Sequence, residues 1–374
     1  MNAKRAAFLW LSLAATVTTA VAAPAYIVYV GTYTGPKSKG IYAYNFGAAH
    51  SSIGLAAELA RPSWLALHPS RKYLYAVSEL GGGDGAITSF SIDPKTGALK
   101  QINQISSAGG GPCHLEIDRT GRTIFVANYG TGSVAGFRIR PDGSLGERTA
   151  FDQHSGSGAN PQRQRGPHAH EAVLSLDNRF LFVPDLGLDK IFGYRFDASA
   201  GTLSPNDPPF SPAPPGSGPR HFAFHPNRKF AYAVCEMGSE IVGFSYDARN
   251  GHLRRLQTVS TLPAGFHGDN TCAEIAIEPG GRFLYASNRG NDSIAVFAVD
   301  PNSGTLDLIQ HVPSGGRTPR NFAIHPAGNY LLAANQDSDS IVTFKLDPHS
   351  GKLSPHGQPL SVPSPVSIVF LPLE

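Results

Sequence analysis

Short apolar runs alternate with polar turns along this chain, and the order of the runs repeats. In one unit Pro62-Ser-Trp-Leu-Ala-Leu-His68-Pro69 leads through a polar turn to Tyr73-Leu-Tyr-Ala-Val77. The pair returns as Pro112-Cys-His-Leu-Glu-Ile-Asp118 with Ile124-Phe-Val-Ala-Asn128, and as His170-Glu-Ala-Val-Leu-Ser-Leu176 with Phe180-Leu-Phe-Val183. It returns again as Arg220-His-Phe-Ala-Phe-His225-Pro226 with Phe230-Ala-Tyr-Ala-Val234, as Cys272-Ala-Glu-Ile-Ala-Ile-Glu278-Pro279 with Phe283-Leu-Tyr-Ala-Ser287, and as Arg320-Asn-Phe-Ala-Ile-His325-Pro326 with Tyr330-Leu-Leu-Ala-Ala334. A seventh copy of the first run, Pro365-Val-Ser-Ile-Val-Phe370, ends the chain. The units open at 62, 112, 167, 219, 271, 319 and 365, in steps of 50, 55, 52, 52, 48 and 46. Each full unit adds a third strand, a Gly-containing turn such as Asp300-Pro-Asn-Ser-Gly304, and a fourth strand. Runs of strand length bounded by Gly and Pro turns, at a period near fifty, predict propeller blades of four antiparallel strands.

The termini predict how the ring closes. Tyr26-Ile-Val-Tyr-Val-Gly31, Ile41-Tyr-Ala-Tyr44 and Leu55-Ala-Ala-Glu-Leu59 read as second, third and fourth strands. Joined to the lone C-terminal first strand they make a seventh blade, and the exposed edges disappear. The expected fold is an all-β seven-bladed propeller spanning residues 24–374.

Composition sharpens this picture. The 41 Gly and 30 Pro fit a turn-rich all-β chain, and a hydrophobic fraction of 41% argues against disorder. Residues 1–23 read as a secretory signal: Lys4 and Arg5 precede an apolar stretch from Ala6 to Thr18, and Ala20-Val21-Ala22 fits small-x-small cleavage, with a cut after Ala23 as the alternative. The mature protein is therefore expected to be periplasmic or secreted, without a membrane helix, and monomeric. Of 31 basic residues, loss of Lys4 and Arg5 leaves 29 against 28 acidic, which provides no basic face for nucleic acid. The three cysteines, Cys113, Cys235 and Cys272, match no disulfide or metal framework; they read as buried apolar residues, with a Cys235–Cys272 bridge as the alternative.

Strand direction sorts the polar residues between the two mouths of the ring. The start of each first strand lies beside the end of the second, while the His-Pro and Asp-Pro-x-x-Gly turns fall at the opposite mouth. The first mouth collects His114, His168, His170, Arg220, His221, Glu274, Arg320 and Asn321 from strand starts. From strand ends it takes Glu79, Asn128, Asp185, Glu236, Asn288, Arg289, Asn335 and Gln336. Two insertions, His154 to Pro167 and the proline-rich Ser204 to Pro219, are read as reaching the same mouth and are candidate lids. Such a crowd of imidazole, guanidinium and carboxylate groups is a candidate small-molecule site.

Five segments in order, Gly31-Thr-Tyr-Thr34, Gly166-Pro-His-Ala-His170, Gly218-Pro-Arg-His221, Ala286-Ser-Asn-Arg-Gly290 and Ala333-Ala-Asn-Gln336, resemble the signatures of the lactonase seven-bladed propeller family. That family includes 6-phosphogluconolactonases and the fungal-type carboxymuconate lactonising enzymes. The resemblance covers residues 26 to 372 and implies hydrolysis of a small lactone without cofactor or metal. The family's set of one His, one Glu and two Arg falls by motif on His168 or His170, Glu236, Arg220 and Arg289. The leader is a departure, because 6-phosphogluconolactone is a cytosolic metabolite. Lactone opening needs a base for water and positive charge for the oxyanion. Glu236, His170, His168 and Arg289 are the expected catalytic residues, with Glu236 or His170 as base. Arg220, His114, Asn288, Arg320 and Gln336 are the expected substrate contacts. Three alternatives stand beside this reading: a calcium-dependent lactonase using Glu79, Asn128, Asp185 and Asn288, a muconate-type cycloisomerase, and a non-catalytic ligand- or protein-binding propeller.

Overall fold

The structure, a computed structural model, describes residues 26–47, 51–80 and 85–373. The leader expected at residues 1–23 lies outside them. The described chain forms seven antiparallel sheets arranged as blades. Blade 1 comprises Leu65–Leu67, Tyr73–Ser78, Ala86–Ile92 and Leu99–Ser106. Blade 2 comprises Pro112–Ile117, Thr123–Asn128, Ser133–Ile139 and Leu145–Gln153. Blade 3 comprises Val173–Leu174, Phe180–Asp185, Lys190–Asp197 and Thr202–Pro212. Blade 4 comprises Pro219–Phe224, Phe230–Cys235, Glu240–Asp247 and His252–Ser260. Blade 5 comprises Thr271–Ile277, Phe283–Arg289, Ser293–Val299 and Leu306–Pro313. Blade 6 comprises Pro319–Ile324, Tyr330–Asn335, Ser340–Leu346 and Leu353–Pro355, with Leu360–Ser361 also on its third strand. In blade 7 the C-terminal strand Pro365–Pro372 pairs with Tyr26–Thr32, followed by Gly40–Phe46 and Ser51–Glu58. This is the ring closure expected from the termini. No described helix is long and apolar enough to cross a membrane.

The core lies between neighbouring sheets. Tyr232, Val234 and Ile241 of blade 4, for example, pack on Leu284, Ala295 and Phe297 of blade 5. Second-strand tyrosines reach across these seams. Tyr232 and Tyr285 donate to Gly304 O at 2.9 Å and Gly351 O at 2.8 Å in the next blade's turn. Those turn glycines have φ of 73° and 71°, and an added Cβ would lie 2.4 Å from Phe230 and 2.3 Å from Phe283. Only glycine fits there. The opposite mouth is thus built from inter-blade turn contacts.

Toward the axis, each first strand is an edge with backbone N–H groups that have no strand partner. Buried donors need acceptors, and a side chain of the preceding blade supplies them. His114 Nδ1 accepts from Ala172 N at 3.4 Å, and Glu171 Oε2 accepts from Phe222 N. Asn321 Oδ1 accepts from Ile368 N at 3.0 Å, and Ser367 Oγ from Leu65 N at 3.1 Å. The residues occupy one register position: Trp64, His114, Glu171, His221, Glu274, Asn321 and Ser367. Between blades 4, 5 and 6, His221 Nδ1–H donates to Glu274 at 3.0 Å and Asn321 Nδ2 donates to Glu274 at 2.6 Å.

One expectation changes. The segment Ser204 to Pro212 is not a lid; it belongs to the outer strand of blade 3, where Tyr194 pairs with Pro205 and Phe192 with Phe210 across a bulge. Proline is tolerated there because an outer edge strand and a bulge leave its missing N–H unneeded. Cys113, Cys235 and Cys272 are free and buried, in line with their reading as buried apolar residues, and the alternative Cys235–Cys272 bridge does not form.

Replacing Asn321 with Leu would strand both the Ile368 N–H and a Glu274 oxygen. A loss of about 1–3 kcal/mol is expected in urea unfolding; a change within about 0.5 kcal/mol, as at an ordinary surface position, would contradict the stitching role.

Candidate active site

Two register positions deliver side chains to one mouth. In blades 2, 4 and 6 the pairing of first and second strands slips between Pro112 and His114, Pro219 and His221, and Pro319 and Asn321. The residue inside each slip, Cys113, Arg220 or Arg320, is unpaired, and such bulges re-aim side chains. In blade 3 the bridge between Ala169 and Asp185 puts His170 at the same level. The second position is at or just past the end of the second strand, and it supplies Tyr33, Glu79, Tyr129, Glu236 and Arg289. Together with Arg163 and Thr271, these side chains, apart from Arg220, line a cavity of about 370 Å³.

Glu236 is the electrostatic centre. Its Oε1 accepts from Arg163 at 2.7 Å. Its Oε2 accepts from Arg220 Nε at 3.1 Å and forms an ion pair at 2.9 Å with an Arg289 amino group that itself donates to Cys272 O. Burial opposes the charge, but Arg289, Arg220 and Arg163 prevail and hold the carboxyl at about 2. Arg220 lies buried beneath it and is lowered by burial and by Arg289 and Arg320 to about 10, so it stays charged at neutral pH. Arg220 also donates to Ala273 O at 2.6 Å. Its other contact, 3.2 Å to His221 Nε2, makes that nitrogen an acceptor and fixes His221 as the neutral Nδ1–H tautomer. Among the described residues the buried Nε of Arg289 has no hydrogen-bond partner.

His170 lines the cavity and is buried; burial first, then the Arg220, His221, Arg320 and Arg289 charges, hold its imidazole well below 6.5. It is neutral at neutral pH. The Cys113 thiol donates to His170 O at 3.2 Å and is kept protonated by burial. Across the cavity Tyr33 donates to Glu79 at 2.9 Å, with its hydroxyl pushed up to about 12 by burial. The Arg61 and Arg320 guanidinium groups lie over the Tyr33 ring at 4.4 and 5.2 Å. The guanidinium groups of Arg163, Arg289 and Arg320 lining the cavity, with Arg220 beneath and Arg61 over Tyr33, outnumber the two carboxylates, Glu79 and Glu236, and leave the mouth positively charged.

Of the residues expected from sequence, Glu236, His170, Arg289 and Arg320 line the cavity, and Arg220 supports it from below. Four others lie elsewhere. His168 stacks on Tyr129 at 4.5 Å, and its Nδ1–H donates to Tyr129 O at 2.9 Å. His114 sits deeper in the axial channel, 4.2 Å from the Trp64 ring and 3.5 Å from Glu171. Asn288 is fully buried and donates to Thr261 O at 2.9 Å and Ser293 Oγ at 3.2 Å, a strand-end clamp that Asn128 and Asn335 repeat on Ser107 O and Ser314 O. Gln336 turns into the short 3₁₀ segment Gln336–Ser338 and donates to Asp337. Among the described residues no group of three or more His, Cys, Asp or Glu is placed to hold a metal.

Arg163, Tyr33 and Tyr129 were not anticipated. The tyrosines occupy the position of Glu236 and Arg289 in their own blades, a signal the repeat contains. Arg163 lies in the insertion after blade 2, where no repeat register applies. That insertion is pinned by His154, 2.6 Å from Asp185 and 2.9 Å from the Tyr194 hydroxyl. It is pinned again by buried Gln164, which donates to Leu186 O and Asp189 at 2.7 Å. The strap therefore reaches the mouth as expected, and Arg163 is the residue it delivers.

Known proteins resemble this chain over most of its length. The 6-phosphogluconolactonase of Bacillus subtilis (strain 168) is 36% identical over 299 residues, covering 79% of this chain and 84% of that protein. The 6-phosphogluconolactonase of Formosa agariphila is 37% identical over 302 residues, covering 79% and 85%. The solved periplasmic gluconolactonase PpgL of Pseudomonas aeruginosa superposes with a TM-score of 0.88 at 38% identity, covering 94% of this chain and all of that one. Residues 27–370 match the family described as "Lactonase, 7-bladed beta-propeller", and the chain belongs to it.

Proposed function

We propose that this protein is a carboxylic-ester hydrolase that opens the lactone of a sugar acid in the cavity around Glu236. The observation carrying this reading is the cluster of guanidinium groups gathered on one carboxylate at the mouth of a lactonase-family propeller. The relatives named as 6-phosphogluconolactonases and a gluconolactonase support the reaction class.

The chemistry divides between the two sides of the cluster. Water attacks the lactone carbonyl carbon and gives its proton to His170, whose neutral imidazole is available as an acceptor. Negative charge develops on the carbonyl oxygen and is met by Arg289, held in place by Glu236 before substrate arrives. The bond from the carbonyl carbon to the ring oxygen breaks, the departing alkoxide takes the proton back from His170, and an open hydroxy acid leaves. Glu236 at about 2 is too weak a base for this proton transfer at neutral pH. Its role is to hold Arg163, Arg220 and Arg289 in one orientation. We also propose export: residues 1–23 carry the leader pattern, and the Pseudomonas aeruginosa relative is named as periplasmic.

Three outcomes test these assignments. His170→Asn should lower kcat by about 100-fold with the fold intact, whereas Glu236→Gln should lower kcat/KM by about tenfold or more and cost about 3–5 kcal/mol in unfolding, because it leaves buried guanidinium groups without an anion. Unchanged lactone turnover in either variant removes that residue from the mechanism. A His with a lowered pKa keeps its neutral form as pH falls below 6.5, so kcat/KM should stay level down to at least pH 6.5 and drop only below it; an acid limb centred at or above 6.5 contradicts the assignment. Mass spectrometry of protein from the periplasmic fraction should find a new N-terminus at Ala23 or Pro24, and an uncut, cell-internal chain would overturn export.

A further inference from the structure

At the level that closes the ring, four side chains do the same thing. His114, Glu171, Asn321 and Ser367 each accept the backbone N–H one residue past the corresponding position of the next blade, at Ala172, Phe222, Ile368 and Leu65. By that pattern His221 of blade 4 would accept from Ile275 N of blade 5. It does not. Ile275 N donates at 3.0 Å to the side chain of its own neighbour, Glu274. His221 is thereby released from closing the ring, and its Nε2 meets the Arg220 guanidinium at 3.2 Å.

The other side of the imidazole is fixed as firmly. A guanidinium only donates, so Nε2 is an acceptor and Nδ1 carries the proton, which goes to Glu274 at 3.0 Å. Glu274 is itself held as an acceptor. Its Oε1 takes His221 Nδ1–H and Ile275 N, and its Oε2 takes Asn321 Nδ2 at 2.6 Å. The Asn321 amide cannot turn over, because its Oδ1 is committed to Ile368 N at 3.0 Å. Hydrogen bonds thus link the blade 6 amide through Glu274 and His221 to Arg220, and Arg220 Nε to Glu236 at 3.1 Å. All five side chains, those of Asn321, Glu274, His221, Arg220 and Glu236, belong to buried residues. His221 also stands edge-on to the His170 ring, with centroids 5.1 Å apart.

We propose that His221 and Glu274 are positioning residues for lactone opening. Neither side chain lines the cavity. Glu274 sets the His221 tautomer, and His221 presents a lone pair to Arg220. Arg220 so held keeps Glu236 where it orients Arg289 toward the developing oxyanion. Donors aimed in advance favour the transition state over the bound substrate. Loss of the alignment therefore acts on kcat more than on KM. This assignment rests on the lactone-hydrolase reading above.

The test combines kinetics on glucono-δ-lactone and 6-phosphogluconolactone with nitrogen-15 NMR of the histidine rings, all on the full-length protein. Unaltered protein should show His221 protonated at Nδ1; protonation at Nε2 overturns the proposal. His221→Phe keeps a ring against His170 but loses the acceptor, and should lower kcat by about tenfold or more with KM within about twofold. Glu274→Gln sets an amide NH2 against either Asn321 Nδ2 or His221 Nδ1–H, and should lower kcat by a similar factor. Adding Asn321→Asp to Glu274→Gln exchanges acid and amide across the seam and gives every donor an acceptor again. The double variant should return kcat to within about threefold of the unaltered enzyme. Unchanged kcat in Glu274→Gln, a fall confined to KM, or a folded double variant no faster than Glu274→Gln would each contradict the proposal while leaving the hydrolase reading in place. If His221→Phe does not fold, the Glu274→Gln pair carries the test. If the unaltered protein turns over neither lactone, the hydrolase reading fails and this one with it.

Discussion

The innermost strand of every blade presents backbone N–H groups to the axis with no further strand to accept them. A ring of seven sheets closes only if each of these edges is satisfied. Side chains one blade back do much of this work, through His114, Glu171, Asn321 and Ser367, with His221 and Glu274 joining the chain of contacts. The axial channel is therefore polar for structural reasons. Burial pushes Glu274 up to about 7 while Arg220, the Ile275 N–H and Asn321 pull it down, as expected for a carboxyl serving as a fixed acceptor.

With that level committed to closure, the level above it is free to carry chemistry. The bulge position and the second-strand end are repeated around the ring, but their residues differ from blade to blade. A symmetric scaffold thus carries an asymmetric site, with Arg163, Arg220, Arg289 and Glu236 on one side and Arg320, Tyr33 and Glu79 on the other. Glu236 organises the first group because a single carboxylate has only two oxygens to share among three guanidinium groups. The arrangement orients donors and maintains a positive field suited to a developing oxyanion.

The propeller was legible in the sequence because each blade repeats the same apolar runs and turn residues, and the terminal strands showed how the ring closes. Much of the site was legible for the same reason: antiparallel register puts first-strand starts beside second-strand ends, which gathered His170, Arg220, Glu236, Arg289 and Arg320. Register alone does not say which way a side chain turns. Asn288 points into a strand-end clamp, Gln336 into a 3₁₀ turn and His168 onto Tyr129, although all three lie at the right height. Arg163 was hidden because an insertion has no repeat to align with. The proline-rich Ser204 to Pro219 segment reads in sequence as a candidate lid, yet its part up to Pro212 is an outer strand, because an edge strand can carry proline without losing needed hydrogen bonds. The state of Glu236 depends on distances between four side chains from three regions of sequence, which no spacing rule contains.

The most direct test of the account is a crystal structure with a bound sugar-acid product such as gluconate. The account predicts the acid at the mouth containing Glu236, with its carboxylate on Arg289 and within hydrogen-bond reach of His170. An acid bound instead in the opposite mouth, among Leu67, His68, Pro326 and Phe370, would contradict it.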